Sequence, residues 1–201
     1  IKHGLPAGVT ALVVGMQPLL TALGAGWLLG EQVSGRQWGG LALGFVGVGL
    51  VVSGKFGEAA LGPMLIPALV ALLGITAGTL YQKRFCAKFD LRTGSVIQFV
   101  PTAIVTAIAI VLFEDFHVEW TGQFTFALGW LVLVLSLGAI SLLNLLIRSG
   151  SAVNVASLFY LTPLSTALIA WAIFGEKLTL TAAVGMALAV SGVYLVARPA
   201  K

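Results

Sequence analysis

The sequence predicts an all-α, polytopic transmembrane helix bundle of about seven spans, and three observations predict it. Hydrophobic residues make up 59% of the chain and charged residues only 9%, against about a quarter charged in ordinary soluble domains. A soluble domain of 201 residues cannot bury that much apolar surface, so lipid has to cover what folding leaves out. Charges and Gly or Pro clusters interrupt the apolar runs at intervals near the ~20 residues a helix needs to cross the hydrocarbon. The runs are also too long and too rich in Leu and Ala for the alternating strands, about ten residues each, of a membrane barrel.

Taken in order, the first span covers residues 6–29, with Gln17-Pro18 near its middle and Gly30-Glu31 at its end. The second, 37–53, is short and Gly-rich, and close packing lets such a helix cross with little tilt. The third, 64–82, runs into Lys83-Arg84, and the fourth, 94–113, contains Pro101 and precedes the acidic stretch Glu114–Glu119. The fifth, 124–147, stops at Arg148. The sixth, 152–174, carries Pro163 and ends at Gly175-Glu176, and the last is 180–197.

Orientation follows from where Lys and Arg fall in the connections. If the loop with Lys83, Arg84, Lys88 and Arg92 is cytoplasmic, Arg36, Arg148, Arg198 and Lys201 join it, leaving Lys2, Lys55 and Lys177 opposite. This bias predicts a cytoplasmic C-terminus in the plasma (bacterial inner) membrane, with Ile1 on the other face.

An internal repeat carries the most information. Gln17-Pro18-Leu19-Leu20-Thr21-Ala22-Leu23 leads to Gly30-Glu31 and then to a helix with Gly40 and Gly47. The order recurs 145 residues later: Thr162-Pro163-Leu164-Ser165-Thr166-Ala167-Leu168, Gly175-Glu176, then Gly185 and Gly192. The first Gly-Glu ends span one and the second ends span six. Five spans is an odd number, so equivalent helices run in opposite directions, the inverted duplication found in many secondary transporters. Residues 1–55 then hold the last two helices of a first repeat and 56–201 a complete second repeat of five. Three helices are expected to precede Ile1.

On these residues the chain resembles the drug/metabolite transporter superfamily, specifically its EamA-type permeases. The resemblance implies ten helices in two five-helix repeats around a central cavity, and members that move amino acids, metabolites or drugs. It is specific for the superfamily and silent on substrate.

The candidate site residues follow from polarity inside the spans. Pro18 and Pro163 each free a carbonyl near mid-membrane. Gln17, Gln98 and Asn144 carry amides that a helix cannot satisfy by itself, unlike Ser and Thr. Tyr81 and Tyr160 offer amphipathic rings, so these seven residues are the expected cavity lining, with interhelical hydrogen bonding as the competing role. Gly30, Glu31, Gly175 and Glu176 form a helix-end motif, in which each glutamate is expected to bind amides at the start of the next helix. The pairs Gly26–Gly30, Gly40–Gly44 and Gly74–Gly78 read as close helix packing. The tryptophans Trp27, Trp38, Trp120, Trp130 and Trp171 read mostly as an interfacial belt.

No catalytic, metal or cofactor signature occurs: there is no HExxH, GxSxG or phosphate loop, and His3 and His117 fall in loops. A lone Cys86 forms no disulfide within the chain, and no basic helix face suits nucleic acid. The expected partners are therefore a small-molecule solute and the lipid bilayer, and the expected activity is secondary transport by alternating access. A membrane-embedded lipid-modifying enzyme, which would need a cluster of polar catalytic residues in one span, and a structural membrane subunit are the alternatives.

Overall fold

The computed structural model describes residues 7–53, 65–86, 90–113, 118–175 and 177–198. Every regular element among them is helical: α1 (Ala7–Gly15), α2 (Gln17–Gly24), α3 (Gly35–Val52), α4 (Leu65–Phe85), α5 (Leu91–Phe113), α6 (Gly122–Trp130), α7 (Ile140–Ser149), α8 (Ala152–Ser157), α9 (Leu161–Phe174) and α10 (Leu180–Ala197). Several are segments of one long helix. The π-helical turns Ala25–Leu29 and Leu131–Ala139 continue α2 and join α6 to α7, and a 3₁₀ turn, Leu158–Tyr160, joins α8 to α9.

Seven long helices result among the described residues, and six of them are long and apolar enough to span a membrane. The exception is α3, whose first turn holds Arg36 and Gln37 ahead of its apolar part.

The chain forms two compact units, Ile1–Arg84 with Gly150–Lys201, and Phe85–Ser149. The second unit contains α5, α6 and α7. Thr121 caps α6 by accepting from the Phe124 amide at 3.1 Å. No residue of α6 or of the π-helical segment is buried, so Leu131, Leu133, Leu135 and Leu137 present their side chains outward. In lipid those are ordinary surface residues.

The first unit is built on α3 and α10, which pack along their whole lengths. Their glycines explain how. A Cβ on Gly40 would lie 2.7 Å from the Gly192 carbonyl oxygen, and one on Gly47 would lie 2.6 Å from that of Gly185. Early residues of α3 thus meet late residues of α10, and the helices are antiparallel. Gly40 and Gly47 are also the repeat counterparts of Gly185 and Gly192. Each glycine meets the counterpart of the other one, so a local two-fold axis runs midway along the seam and equivalent helices are inverted.

The neighbouring cores close around this seam. Leu41, Val48, Val193 and Val196 pack with Ala22, Ala25, Ala152, Val153, Leu80 and Tyr160, and Val51, Val52, Leu164 and Ala189 form a second cluster. The small-residue reading therefore fits Gly40–Gly44, where the Tyr160 ring lies against Gly44. It does not extend to Gly74–Gly78, which have nothing within 4 Å among the described residues. Trp27, Trp120, Trp130 and Trp171 are more than half exposed, and Trp38 is partly buried and packs against the core.

Replacing Gly47 by Ala forces a methyl group into the α10 backbone and is expected to cost about 1–3 kcal/mol, the usual cost of overpacking. Gly39→Ala, on the same helix with nothing within 4 Å, is expected to be neutral or stabilising by up to about 1 kcal/mol. Thermal unfolding of the two variants in detergent tests the difference.

Candidate functional site

The two helices that carry the repeat prolines, Pro18 and Pro163, break on the N-terminal side of their proline. In the first, α1 ends at Gly15, the Met16 amide donates to Val13 O at 3.1 Å, and α2 restarts with Pro18 in its first turn. Pro18 has no N–H to offer the carbonyl four residues back, so regular pairing fails there. In the second, the 3₁₀ turn Leu158–Tyr160 precedes α9 and its Pro163. The same broken helices end alike: Gly30 has φ 67° and Gly175 φ 66°, the only positive φ values among the described residues. A left-handed residue closes a helix, and glycine takes that conformation without steric cost.

The buried polar groups lie close to these breaks. Gln17 and Thr21, one turn apart on α2, are fully buried, and the Gln17 amide and the Thr21 hydroxyl have no hydrogen-bond partner among the described residues. Tyr160 is 1% exposed, and its hydroxyl is likewise buried without a partner among the described residues. An unpaired buried polar group costs about 1–3 kcal/mol, and such groups in a native core call for an explanation.

The other expected cavity residues lie elsewhere. Tyr81 on α4 is 59% exposed. Gln98 is exposed on α5, where its backbone carbonyl accepts from Thr102 Oγ1 at 2.8 Å. Asn144 is buried on α7 in the second unit, and Pro163 is half-buried. The structure thus keeps Gln17, Pro18, Tyr160 and Pro163 in one unit and puts Gln98 and Asn144 in the other.

Glu31 has a different partner from the expected one. Its carboxylate accepts from Ser151 Oγ at 2.9 Å and from the Ala152 amide at 3.2 Å, and so caps α8. The helix that follows Glu31 needs no such help, because Ser34 and Gln37 cap α3 reciprocally: the Gln37 amide donates to Ser34 Oγ at 3.3 Å and the Ser34 amide to Gln37 Oε1 at 2.9 Å. Glu176 lies outside the described residues. Around Glu31 a polar plate gathers the ends of several helices. Gln37 Nε2 donates to Asn154 Oδ1 at 3.3 Å, Arg84 to the Leu28 carbonyl, Lys83 to the Gly150 carbonyl and Arg36 to the Arg198 carbonyl.

Sequence reasoning missed this plate. A Ser-x-x-Gln capping box at Ser34 was the signal that Glu31 is free for another helix. Thr21 was visible only as one of many span threonines.

A polytopic helical membrane protein whose equivalent helices are inverted about a glycine seam is the class these features define. The chain belongs to the EamA-like transporter family, whose match covers residues 62–198. Among similar proteins are the uncharacterized transporter YvbV of Bacillus subtilis strain 168, 31% identical over 196 residues covering 96% of this chain and 63% of that protein. The uncharacterized inner membrane transporter YedA of Escherichia coli K12 is 25% identical over 178 residues, 88% of this chain and 57% of that one. The chain thus spans less than two thirds of the length of these relatives. A crystal structure with 21% identity shares the fold at a TM-score of 0.77, over 97% of this chain and 69% of its own.

Ser151→Ala removes both a donor to Glu31 and the side-chain cap of α8. A loss of about 1–2 kcal/mol is expected, against less than about 0.5 kcal/mol for Ser149→Ala, whose exposed hydroxyl bonds only its own helix. Denaturation of both variants in detergent measures the gap.

Proposed function

We propose that the protein containing this chain is a secondary transporter of the plasma (bacterial inner) membrane, moving a small metabolite, amino acid or drug-like solute by alternating access. Residues 1–55 are read as the end of a first five-helix repeat and 56–201 as the second. The observation that carries the reading is the glycine seam: equivalent helices α3 and α10 pack antiparallel about a local two-fold axis, which gives two inverted halves a place to rock about. Family membership and relatives named as transporters support it. The broken helices around Pro18 and Pro163 supply bends beside buried polar groups, where a solute path needs them.

The polar plate supports an orientation. Arg36, Lys83 and Arg84 all bond carbonyls at the end where α10 finishes, Arg36 that of Arg198 itself, and positive charge collects on the cytoplasmic side. The C-terminus is therefore assigned to the cytoplasm.

Vesicles containing the full-length protein are expected to take up or release a labelled solute above empty vesicles, and absence of flux for every solute in a broad metabolite panel would count against the proposal. Straightening a bend with Pro18→Leu is expected to slow flux roughly tenfold, as when an added barrier of about 1.4 kcal/mol is imposed on the conformational step. A cysteine at Lys201 labelled only from outside intact cells would overturn the orientation.

A further inference from the structure

The contact between α2 and α8 combines features that pull in opposite directions. The buried face of α2 carries Gln17, Pro18, Thr21 and Ala22, and α2 packs mainly against α8. Its interior is poorly satisfied, since the Gln17 amide and the Thr21 hydroxyl are fully buried without partners among the described residues. Its end is well satisfied. There Glu31, just past the helix that α2 begins, accepts from Ser151 Oγ and the Ala152 amide at the start of α8. Nearby, Gln37 on α3 bonds Asn154 on α8, and Arg84 on α4 bonds the Leu28 carbonyl at the end of the helix that α2 begins.

We propose that the α2–α8 contact is a gate: the Glu31 cap latches it shut, and Gln17 and Thr21 become solute-binding groups when it opens. In the closed contact these two side chains hold unused donors and acceptors, which favours opening. The carboxylate-capped end favours closing. A two-state element needs such a balance, because a contact satisfied throughout would stay shut. The inference rests on the alternating-access reading and adds the moving contact and the solute chemistry.

That chemistry follows from the side chains. Residues 10–29 and 152–173 contain no charged side chain. Gln17 offers an amide N–H and a carbonyl, and Thr21 a hydroxyl that both donates and accepts. The complementary solute presents an uncharged amide or hydroxyl group to this point.

The test uses the full-length protein with Cys86→Ser and a reporter Ser157→Cys, at a fully buried position on α8. Membrane-impermeant maleimide is applied to the face that carries Glu31. Glu31→Ala is expected to raise the labelling rate about tenfold, the population equivalent of one charge-assisted hydrogen bond. Gln17→Leu and Thr21→Val are expected to slow labelling and to raise Tm by a few degrees, because removing an orphaned polar group stabilises the closed state. Unchanged labelling in Glu31→Ala would overturn the latch. Should that variant fail to fold, Glu31→Gln, which keeps an acceptor oxygen, is expected to give a smaller rise of about threefold, and no rise would overturn it equally. Faster labelling with a lower Tm in Gln17→Leu would make Gln17 a structural hydrogen-bonding residue and overturn the gate.

Flux is read separately with asparagine and threonine against aspartate and lysine. Preference for the first pair, lost in Gln17→Leu, supports the chemistry, and preference for the second overturns it. If none of the four moves, the solute assignment fails and the wider transport reading passes to the broad panel, while the labelling result still decides the gate.

Discussion

Everything in the first unit is arranged around the place where two helices touch through their backbones. Four glycines make that possible, since a methyl group at Gly40, Gly47, Gly185 or Gly192 would sit within 3 Å of carbonyl oxygen or amide nitrogen on the opposing helix. In lipid no hydrophobic force drives apolar helices together, so close dispersion contact has to supply the attraction, and its strength falls quickly with separation. The seam also sets the positions of its neighbours. Tyr160 reaches Gly44 only because that position lacks a side chain, and Leu164 and Ala189 close on Val51 and Val52 at the far end.

A consequence is that the two halves are alike in backbone and unlike in chemistry. Thr21 is buried and unpartnered among the described residues, whereas its repeat counterpart Thr166 is exposed and bonds Thr162 O at 3.0 Å. Tyr160 fills space beside the seam, whereas its counterpart is Gly15. Ser151 supplies a hydroxyl to Glu31, whereas the matching position in sequence is Pro6, which has neither hydroxyl nor amide hydrogen. Each repeat thus carries buried polar or hydroxyl-bearing residues that its counterpart lacks.

Much of the fold was legible because membrane physics leaves few choices. Span ends read from charges and glycines lie within a few residues of the helix ends, and counting spans between the two Gly-Glu pairs gave the inversion that the seam displays. The partner of Glu31 was not legible, since it sits 120 residues away across a tertiary contact. Gln17 and Gln98 are equally polar and both lie inside apolar runs, yet one is buried and the other exposed. Composition places an amide at a depth in the membrane but says nothing about its rotation around the helix axis. The same limit applies to glycine pairs, where Gly40–Gly44 meets a neighbour and Gly74–Gly78 meets none among the described residues.

The crossed pairing of the seam glycines has a further meaning. Gly40 meets Gly192 and Gly47 meets Gly185, while the repeat equates Gly40 with Gly185 and Gly47 with Gly192. This is the pattern of an isologous interface, in which position i of one subunit meets j of its mate and j meets i. A half-length chain inserted in both orientations would build the identical surface from two copies of itself, with each glycine serving twice. Fusion into one polypeptide leaves that surface unchanged and releases the rest of each copy from having to work facing both ways, which is the freedom that Tyr160 and Ser151 have used.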